Sequence, residues 1–345
     1  MLIGQPSLLQ LLTSIREGHL VLPDIQRDFV WDRDQIHLFC DSLFRGYPIG
    51  SFLFWHVLGG SDSTSTLVYR RFLEEYREGV ALRAGTELAP GDEKLLVLDG
   101  QQRLQSAYLC FFGTYEGEDL YLDLMTGQHD YDREHDLQFY VRFMRESDLP
   151  SFYRLPAGQG RKLVRIKDFL QSDDERMERY AQRKAEDLRV GDAFAASRRI
   201  RKVWQALRSP ERVHIITIDP NIRRPEDAKS LTEVAEIFVR VNSGGTRLTK
   251  SELLFTLLRA RWRYAREEFQ ALCEELNSRG EFEVDTDFII RALMVCAGRS
   301  ARLDIERMRQ DDLLQTFEKI FPRAKAALQS AFDLLTQPTG GAIRT

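Results

Sequence analysis

The hydrophobic pattern of the chain changes once, near Asp219, and this change limits the folds that the chain can adopt. Before it, short apolar runs such as "KLLVL", "DLYLDLM" and "VHIITID" alternate with segments of helical spacing, whereas only helical spacing follows it. The 345 residues also exceed what one hydrophobic core usually supports, roughly 250–300 residues. The sequence therefore predicts an α+β domain over residues 1–220 and an all-α helical domain over residues 221–345.

Capping signals locate the first two helices. Ser7 is followed by Gln10, and Asp32 is followed by Gln35, and each pair has the spacing of a capping box before an amphipathic run. Pro23 disfavours helix in the residue before it, so the stretch between the two helices is predicted to be extended. A buried strand, "YPIGSFLFWHV", and a later buried strand, "VHIITID", complete the outline of the first domain.

Two stretches have loop chemistry. Residues 58–93 contain two adjacent glycines and the run "SDSTST", and they predict a loop insertion with one short helix near residues 72–78. The run "HDYDREHD", His129 to Asp136, collects two histidines and four acids, which suggests a metal site. Its position between two predicted strands favours the alternative, a solvated hairpin loop.

Charge and composition exclude several classes of protein. The formal net charge of −4 does not suit a protein that coats nucleic acid by bulk electrostatics, so any DNA contact is expected to be a local patch. The four cysteines are far apart and form no C-x-x-C pair. The N-terminus lacks the basic region of an export signal, and no apolar run approaches about 18 residues, the length that spans a membrane. We therefore expect a cytoplasmic protein without a membrane partner.

The stretch "KLLVLDGQQRLQSAYLCFF", Lys94 to Phe112, reads as a buried strand, a polar turn and a helix. A strand end that meets a helix start at a glycine presents backbone N–H groups, which is a common anion site. The helix has an inward apolar stripe, so its first turn is predicted to be exposed, and Arg103 could fork two hydrogen bonds to a phosphate. Asp99 would either bind a hard cation such as Mg²⁺ or cap the helix. A purely structural Asp-Gly turn is the alternative.

Two other stretches have comparable chemistry. "LPDIQRDFVW" places Gln26 and Arg27 beside an extended proline segment. "IFVRVNSGGTRLTKSEL" has Gly244 and Gly245 between two predicted helices, where the amides could hold a phosphate or fix a sharp reversal. Each stretch, taken alone, is also typical of a structural turn.

Basic runs on predicted helices are candidates for contact with a DNA backbone. The two runs are "SRRIRKVW" and "RARWRYAR", and in the second run Trp262 and Tyr264 are interleaved with the basic residues. The DNA-binding candidates are Arg198, Arg199, Arg201, Lys202, Arg261 and Arg263. Solvent-facing helices with charge pairs along their length are the alternative.

Together and in this order, the three polar stretches resemble the N-terminal domain of the GmrSD-type, modification-dependent (type IV) restriction endonucleases, a family marked by a DGQQR motif. The matching residues are Pro23, Gln26, Arg27 and Trp31 in the first stretch, Asp99 to Arg103 in the second, and Phe238, Arg240 and Asn242 to Thr246 in the third.

This resemblance implies a ParB- and sulfiredoxin-like nucleotide-binding fold with a mixed sheet, in which a turn at a helix start holds nucleotide phosphates. It also implies hydrolysis of a nucleoside triphosphate with Mg²⁺ or Mn²⁺, coupled to recognition of modified or foreign DNA. The residues expected in catalysis are Asp99, Gln101, Gln102 and Arg103, with Asp99 as the metal ligand. The residues expected to bind the nucleotide are Gly100, Arg103, Gln26, Arg27, Asn242, Ser243, Gly244, Gly245 and Thr246.

Members of that family commonly carry a C-terminal HNH-type nuclease module, but none of the six histidines here begins an H-x-x-P signature. We therefore predict a nucleotide-dependent sensor module of a restriction system, with the nuclease supplied by a further domain or a separate subunit. A nucleotide- or DNA-binding switch without hydrolysis and a scaffold for a nuclease subunit are the alternatives. The sequence leaves open whether the chain is a fragment and whether it forms a homo-oligomer.

Overall fold

The structure is a computed structural model that describes residues 5–24, 28–60, 67–78, 85–170, 173–219, 229, 233–234, 237, 241, 258, 262, 264–278, 283–301 and 311–336. These residues form two compact units, one reaching residue 219 and the other beginning at residue 229. Each unit has its own hydrophobic core. The predicted boundary between residues 220 and 221 lies outside the described residues.

The first unit combines strands and helices. Its strands are β1 (Leu20–Pro23), β2 (Ser51–Leu58), β3 (Val68–Arg70), β4 (Glu75–Tyr76), β5 (Thr86–Glu87), β6 (Glu93–Asp99), β7 (Thr114–Tyr115), β8 (Asp119–Asp123), β9 (Val141–Met144), β10 (Leu163–Arg165) and β11 (His214–Ile218). Its helices are α1 (Leu8–Arg16), α2 (Arg33–Arg45), α3 (Gln101–Phe111), α4 (Asp130–Glu134), α5 (Leu149–Phe152), α6 (Lys167–Leu170), α7 (Asp174–Asp187) and α8 (Ala193–Arg208).

Six of these strands form one mixed sheet in the order β11-β2-β6-β1-β3-β5. β1 runs parallel to β6, and β11 runs parallel to β2. β2 is antiparallel to β6, and β3 is antiparallel to both β1 and β5. A smaller antiparallel sheet has the order β10-β8-β9. The prediction that helices accompany a mixed sheet is confirmed.

Residues 58–93 contribute to the large sheet rather than forming only a loop. β3 pairs with β1, with Leu22 opposite Arg70, and β5 pairs with β3. The predicted short helix at residues 72–78 is wrong, because Glu75–Tyr76 form a strand that pairs with β7. These strands are two or three residues long and pair with remote partners, so no hydrophobic period marks them in the sequence.

β11 lies at the edge of the large sheet, and the prediction that it is buried is wrong, because each of its five residues is exposed or only partly buried. Ile216 is 60% exposed. An edge strand has a neighbour on only one side, so apolar residues in the sequence do not by themselves ensure its burial.

Both predicted capping boxes are present. Ser7 N–H donates to the side-chain oxygen of Gln10 at 2.8 Å, and Gln10 N–H donates back to the Ser7 hydroxyl. Asp32 and Gln35 exchange the same two bonds at 3.1 and 2.8 Å. The two helices therefore begin where sequence-local hydrogen bonds predict.

Helix α3 is enclosed on all sides, with ten of its eleven residues buried. It packs against α1, α2, β7 and β8, and its Cys110 Sγ lies 3.7 Å from Cys40 Sγ on α2. The predicted inward stripe that includes Leu104 and Phe111 is buried. The prediction of an exposed first turn is wrong for Gln101 and Gln102, which are 6% and 9% exposed, because neighbouring elements cover both faces of the helix.

The second unit is helical in its described residues. Its helices are α9 (Ala265–Asn277), α10 (Thr286–Cys296) and α11 (Asp311–Thr336). Their apolar faces meet in a core in which the rings of Phe269 and Phe321 stack with centroids 5.4 Å apart. The prediction of a helical C-terminal region is thus confirmed. Of the helices that the structure describes, none combines the length and the apolar character needed to cross a membrane.

Candidate functional site

Three strands bring their ends to one edge of the large sheet. β1 and β6 are parallel neighbours, so their last residues, Pro23 and Asp99, lie at the same edge, the one formed by the strand ends. β2 is antiparallel to β6, with Leu53 opposite Asp99, so Ser51 begins at that edge as well. The topology therefore places the DGQQR motif beside the start of β2 and beside the segment that follows Pro23. We call this place the DGQQR corner, residues Asp99 to Arg103.

Gly100 forms the turn of the DGQQR corner and is the N-cap of α3, with φ of +89°. The first helical hydrogen bond runs from Leu104 N–H to Gly100 O at 2.9 Å, so the N-cap residue is Gly100 rather than Asp99. The two alternative roles of Asp99, cation ligand and helix cap, stay predictions. A Cβ at Gly100 would overlap the ring of Phe52. Glycine is thus required here by its left-handed backbone and by close packing on β2.

Gln102 holds the segment that follows β1. Its side-chain amide donates from Nε2 to Asp28 O at 2.9 Å, and its Oε1 accepts from Val30 N–H at 3.0 Å. A buried amide that pairs both its donor and its acceptor with one backbone segment fixes the position of that segment. The structure therefore gives Gln102 a positioning role between the DGQQR corner and the stretch that contains Gln26 and Arg27.

Arg103 turns back toward the start of β2. Its guanidinium donates to Ile49 O, to Ser51 O at 2.9 Å and to the Asp99 carboxylate at 3.3 Å. Its Cζ also lies 5.0 Å from the centroid of the Phe52 ring. Gly50 has φ of +83°, and a Cβ there would overlap Nη1 of Arg103. The Arg103 side chain therefore occupies a fitted position rather than extending freely into solvent.

The charge of Arg103 is only partly compensated. Burial lowers the pKa of Arg103 below its ordinary value, and the nearby charge of Asp99 offsets only part of this effect. Two of its three recorded acceptors are neutral carbonyl oxygens, and the carboxylate is 37% exposed. A desolvated cation with so little negative charge around it favours the approach of an anion.

Asp99 is the carboxylate of the DGQQR corner, and its chemistry fits a hydrated cation. Mg²⁺ usually keeps several waters and binds through one or two carboxylates together with substrate phosphates. One half-exposed carboxylate beside a helix start suits that arrangement, whereas a cage built by protein alone would need more ligands. Within the described ranges, no group of three or more His, Cys, Asp or Glu is placed to hold a metal ion.

Arg70 is a residue of the site that the sequence did not indicate. It is 5% exposed and forms ion pairs with Asp24 at 3.1 Å and Asp28 at 2.9 Å. These two acids flank the stretch that contains Gln26 and Arg27. Asp24 and Asp28, four residues apart around Gln26 and Arg27, were the only feature of the sequence that could have indicated a buried basic partner. That partner, Arg70, lies on β3, a strand that the sequence did not predict.

Several predicted site residues lie outside the described residues. These are Gln26, Arg27, Asn242, Ser243, Gly244, Gly245, Thr246, Arg261 and Arg263. Their predicted roles stay predictions.

The basic run on α8 divides into two kinds of residue. Arg199 donates to Leu124 O at 3.0 Å and to Thr126 O at 2.6 Å, and Arg201 pairs with Glu178, so both serve local structure. Arg198 and Lys202 are exposed, and their spacing of four residues puts them on one face of the helix. That face is the part of the run that is open to a phosphate backbone.

The stretch from His129 to Asp136 is more than a solvated loop. It contains the short helix α4, and its Asp132 is 1% exposed. Arg161 donates to Asp132 at 2.9 Å and to Asp123 at 2.8 Å, and all three side chains are almost fully buried. The acids that suggested a metal site are therefore partly occupied by an internal arginine.

The fold and the DGQQR corner define a class of protein, a mixed-sheet unit with a strand–glycine–helix motif at its edge and a helical unit after it. A model of the family described as "GmrSD restriction endonuclease, N-terminal domain" matches residues 8–259, and the chain belongs to this family. Membership associates the chain with restriction and defence. The predicted family resemblance is confirmed.

One curated relative is an uncharacterized protein, MJ0686, of Methanocaldococcus jannaschii. It is 36% identical to this chain over 106 residues. The match covers 31% of this chain and 17% of the relative, so the chain corresponds to a small part of that protein's length.

Proposed function

We propose that this chain is the nucleotide-dependent sensor module of a restriction system, and that the DGQQR corner binds and hydrolyses a nucleoside triphosphate with Mg²⁺ or Mn²⁺. The observation that carries the proposal is the position of Arg103, a desolvated cation held mainly by neutral carbonyls at the start of a helix. A helix N-terminus and an under-compensated cation both favour a phosphate at this place.

The residues of the corner divide the work. Asp99 would hold the hydrated cation, which when bound neutralises charge on the phosphates. Arg103 would place its positive charge beside the phosphates, although part of its hydrogen-bonding capacity is used by the protein. Gln102 would act indirectly, by holding the backbone at Asp28 and Val30. Gln101, Gly100, Gln26, Arg27 and the segment 242–246 belong to the same proposal.

Modified or foreign DNA is the signal that the proposed module senses. Arg198 and Lys202 form an exposed basic pair on α8 that suits the phosphate backbone of DNA. Cleavage would come from a nuclease domain or subunit outside this chain.

The experiment that tests the proposal is a phosphate-release assay on the purified chain. Each nucleoside triphosphate is supplied with Mg²⁺ or Mn²⁺, with and without unmodified and modified DNA. Release that falls at least about tenfold in Asp99→Asn, but not in the exposed control Arg176→Ala, supports hydrolysis at the corner. Absence of release under all these conditions, with folded protein, contradicts it.

A second candidate function is a binding switch that holds the nucleotide without hydrolysing it. The observation in its favour is that Arg103 links the corner to the backbone of Ile49 and Ser51, so an anion that drew Arg103 away would change the start of β2. Titration calorimetry separates the two functions. Nucleotide binding that is weakened in Arg103→Lys, without any phosphate release, supports the switch.

A further inference from the structure

A cavity lies in the first unit, away from the motif residues. It has a volume of about 550 Å³ and is bounded by the start of α2, by α4, by β9 and by the loop at residues 156–161. Its lining includes Arg33, His37, His129, Tyr131, Tyr140 and Arg142. No residue of the DGQQR corner lines it. Its volume is in the range of pockets that take small molecules, roughly 300–1,000 Å³.

The positive charge available in this cavity is that of Arg142. Arg161 also lines it, but Arg161 is neutralised by Asp123 and Asp132. Arg33 pairs with Glu118 at 2.6 Å. Arg142 is exposed and donates to the hydroxyl of Tyr140 at 3.4 Å, and within the described part of the chain it forms no ion pair with a carboxylate. One cation is therefore left to meet an anionic group of a ligand.

The cavity also offers aromatic surface. Tyr131 is 50% exposed, and its ring stacks on the ring of His135 with centroids 4.2 Å apart. His37 stacks on Phe143 with an angle of 23° between the rings. The Nε2 atom of His37 is buried without a hydrogen-bond partner among the described residues. Burial lowers the pKa of His37 to about 4, so the ring is neutral at neutral pH and can give or accept one hydrogen bond.

Two acids narrow the ligand further. Asp34 and Asp130 line the same cavity and are exposed. Their charges oppose a bare anion such as inorganic phosphate, whereas they suit a ligand that also carries N–H or O–H donors. An anionic group, a planar ring and hydrogen-bond donors occur together in a nucleotide.

We propose that this cavity binds one nucleotide unit, a base with its phosphate, at a site separate from the DGQQR corner. Arg142 binds the phosphate, and the exposed face of Tyr131 stacks on the base. Asp34 and Asp130 accept hydrogen bonds from the amino group of the base or from the sugar hydroxyl. The nucleotide is either free or part of a single strand of DNA, since both present the same base, sugar and phosphate.

The test measures binding of two probes to the full chain: CMP by titration calorimetry, and a short fluorescein-labelled single strand of cytidine deoxynucleotides by anisotropy. Arg142→Ala and Tyr131→Ala are each expected to weaken binding at least about tenfold. Tyr131→Phe keeps the ring and is expected to retain binding. The matched controls are Arg145→Ala, an exposed arginine just beyond β9, and Tyr47→Ala, a tyrosine that is 51% exposed, because neither residue lines the cavity.

The probe that binds identifies the source of the nucleotide: CMP indicates a free nucleotide, the labelled strand indicates DNA, and both together indicate either source. The site is overturned if neither probe binds, or if binding persists in both alanine variants while circular dichroism shows them to be folded. Triphosphate hydrolysis is measured on the same proteins. Its retention in Arg142→Ala supports two separate sites, whereas its loss there contradicts the separation.

Discussion

Two arginines of the first unit, the partly buried Arg103 and the buried Arg161, have opposite electrostatic surroundings. Arg161 is almost fully buried and pairs with two carboxylates that are themselves buried. Burial lowers the pKa of Arg161, but the hydrogen bond to Asp132 and the charges of Asp123 and Asp132 outweigh this effect, so its pKa is raised. For Arg103 burial prevails, and its pKa is lowered.

The difference separates structural charge from available charge. The positive charge of Arg161 is compensated inside the protein by Asp132 on α4 and Asp123 on β8, and these ion pairs join the two elements. Arg103 holds its place through neutral carbonyls and one half-exposed carboxylate, so its charge is still able to stabilise an incoming anion. Arg199 has a lowered pKa as well, because burial removes it from water, and it too donates to carbonyls. What distinguishes Arg103 is its position at a strand–glycine–helix corner.

The largest expected effect is on the stability of the Arg161 cluster. Arg161→Met leaves Asp123 and Asp132 buried without their cation, and we expect the free energy of unfolding to fall by about 3–5 kcal/mol. Urea denaturation followed by circular dichroism measures this change. Arg176→Met, at an exposed arginine of α7, is the control and is expected to change stability by less than about 0.5 kcal/mol. A small effect of Arg161→Met would remove the contrast with Arg103.

Arg103→Met is expected to act mainly on nucleotide binding. It removes hydrogen bonds to two carbonyls, so we expect a loss of about 1–2 kcal/mol in the free energy of unfolding. The loss of a charge-assisted contact to phosphate should weaken triphosphate binding by about tenfold to a hundredfold. Calorimetry and urea denaturation on the same protein compare the two effects. Equal stability losses in the Arg103 and Arg161 variants would contradict the distinction between available and structural charge.

Gln102 and Gln105 provide a matched pair on one helix. The side-chain amide of Gln105 forms two hydrogen bonds with the backbone of Leu73, at 2.8 and 2.9 Å. The side-chain amide of Gln102 likewise forms two, one with the backbone of Asp28 and one with the backbone of Val30. Each change to alanine leaves backbone groups without partners and should cost about 1–3 kcal/mol of stability. Only Gln102→Ala is expected to alter nucleotide binding, because the backbone segment that Gln102 holds, at Asp28 and Val30, adjoins the DGQQR corner. Similar binding changes in both variants would mean that α3 acts through general stability.

His37 is a third basic side chain that can be compared with Arg103 and Arg161. Burial lowers its pKa far enough that its imidazole ring is uncharged at neutral pH. Burial lowers its pKa from 6.5 to about 4, and Arg33 and Arg142 act in the same direction, while Asp34 and Asp32 oppose them. The unfolded chain protonates this ring near pH 6.5 and the folded chain near pH 4. The stability gained from the neutral ring is therefore complete above about pH 6.5 and is lost as the pH falls toward about 4.

The measurement is the free energy of unfolding at about pH 7.5 and about pH 4.5 for the natural protein and for His37→Gln. The natural protein should lose about 1–2 kcal/mol more than the variant between these values, after allowance for partial exposure of the ring. His214→Gln, at an exposed histidine, is the control and should follow the natural protein. If His37→Gln also follows the natural protein, burial does not govern this ring.

The parts of the fold that depend on neighbouring residues could be predicted from the sequence. Capping boxes at Ser7 and Asp32 depend on contacts three residues away, and the strand and helix on either side of Gly100 follow from the local period. The short strands β3 and β5 could not be predicted, because their stability comes from pairing with β1 and with each other.

The candidate site shows the same division. Its residue types and its turn were predicted, but the burial of Gln102 was not, since the amphipathic pattern of α3 marks only one of its two covered faces. The bonds of Arg103 to Ile49 and Ser51 join residues more than fifty positions apart, which no spacing rule indicates. Arg70 was missed for the same reason.

The pairing of β11 with β2 sets a lower limit on the length of a fragment of this chain that can fold as the first unit does. β2 carries a buried run, Phe52 to Val57, that is apolar except for His56, and its outer neighbour in the sheet is β11, the last described strand of the unit. A nascent or truncated chain that stops before residue 214 would leave this run as an open sheet edge, which is a template for aggregation. The DGQQR corner follows β6, the strand directly beside β2, so a fragment made to test the corner has to extend through Ile218.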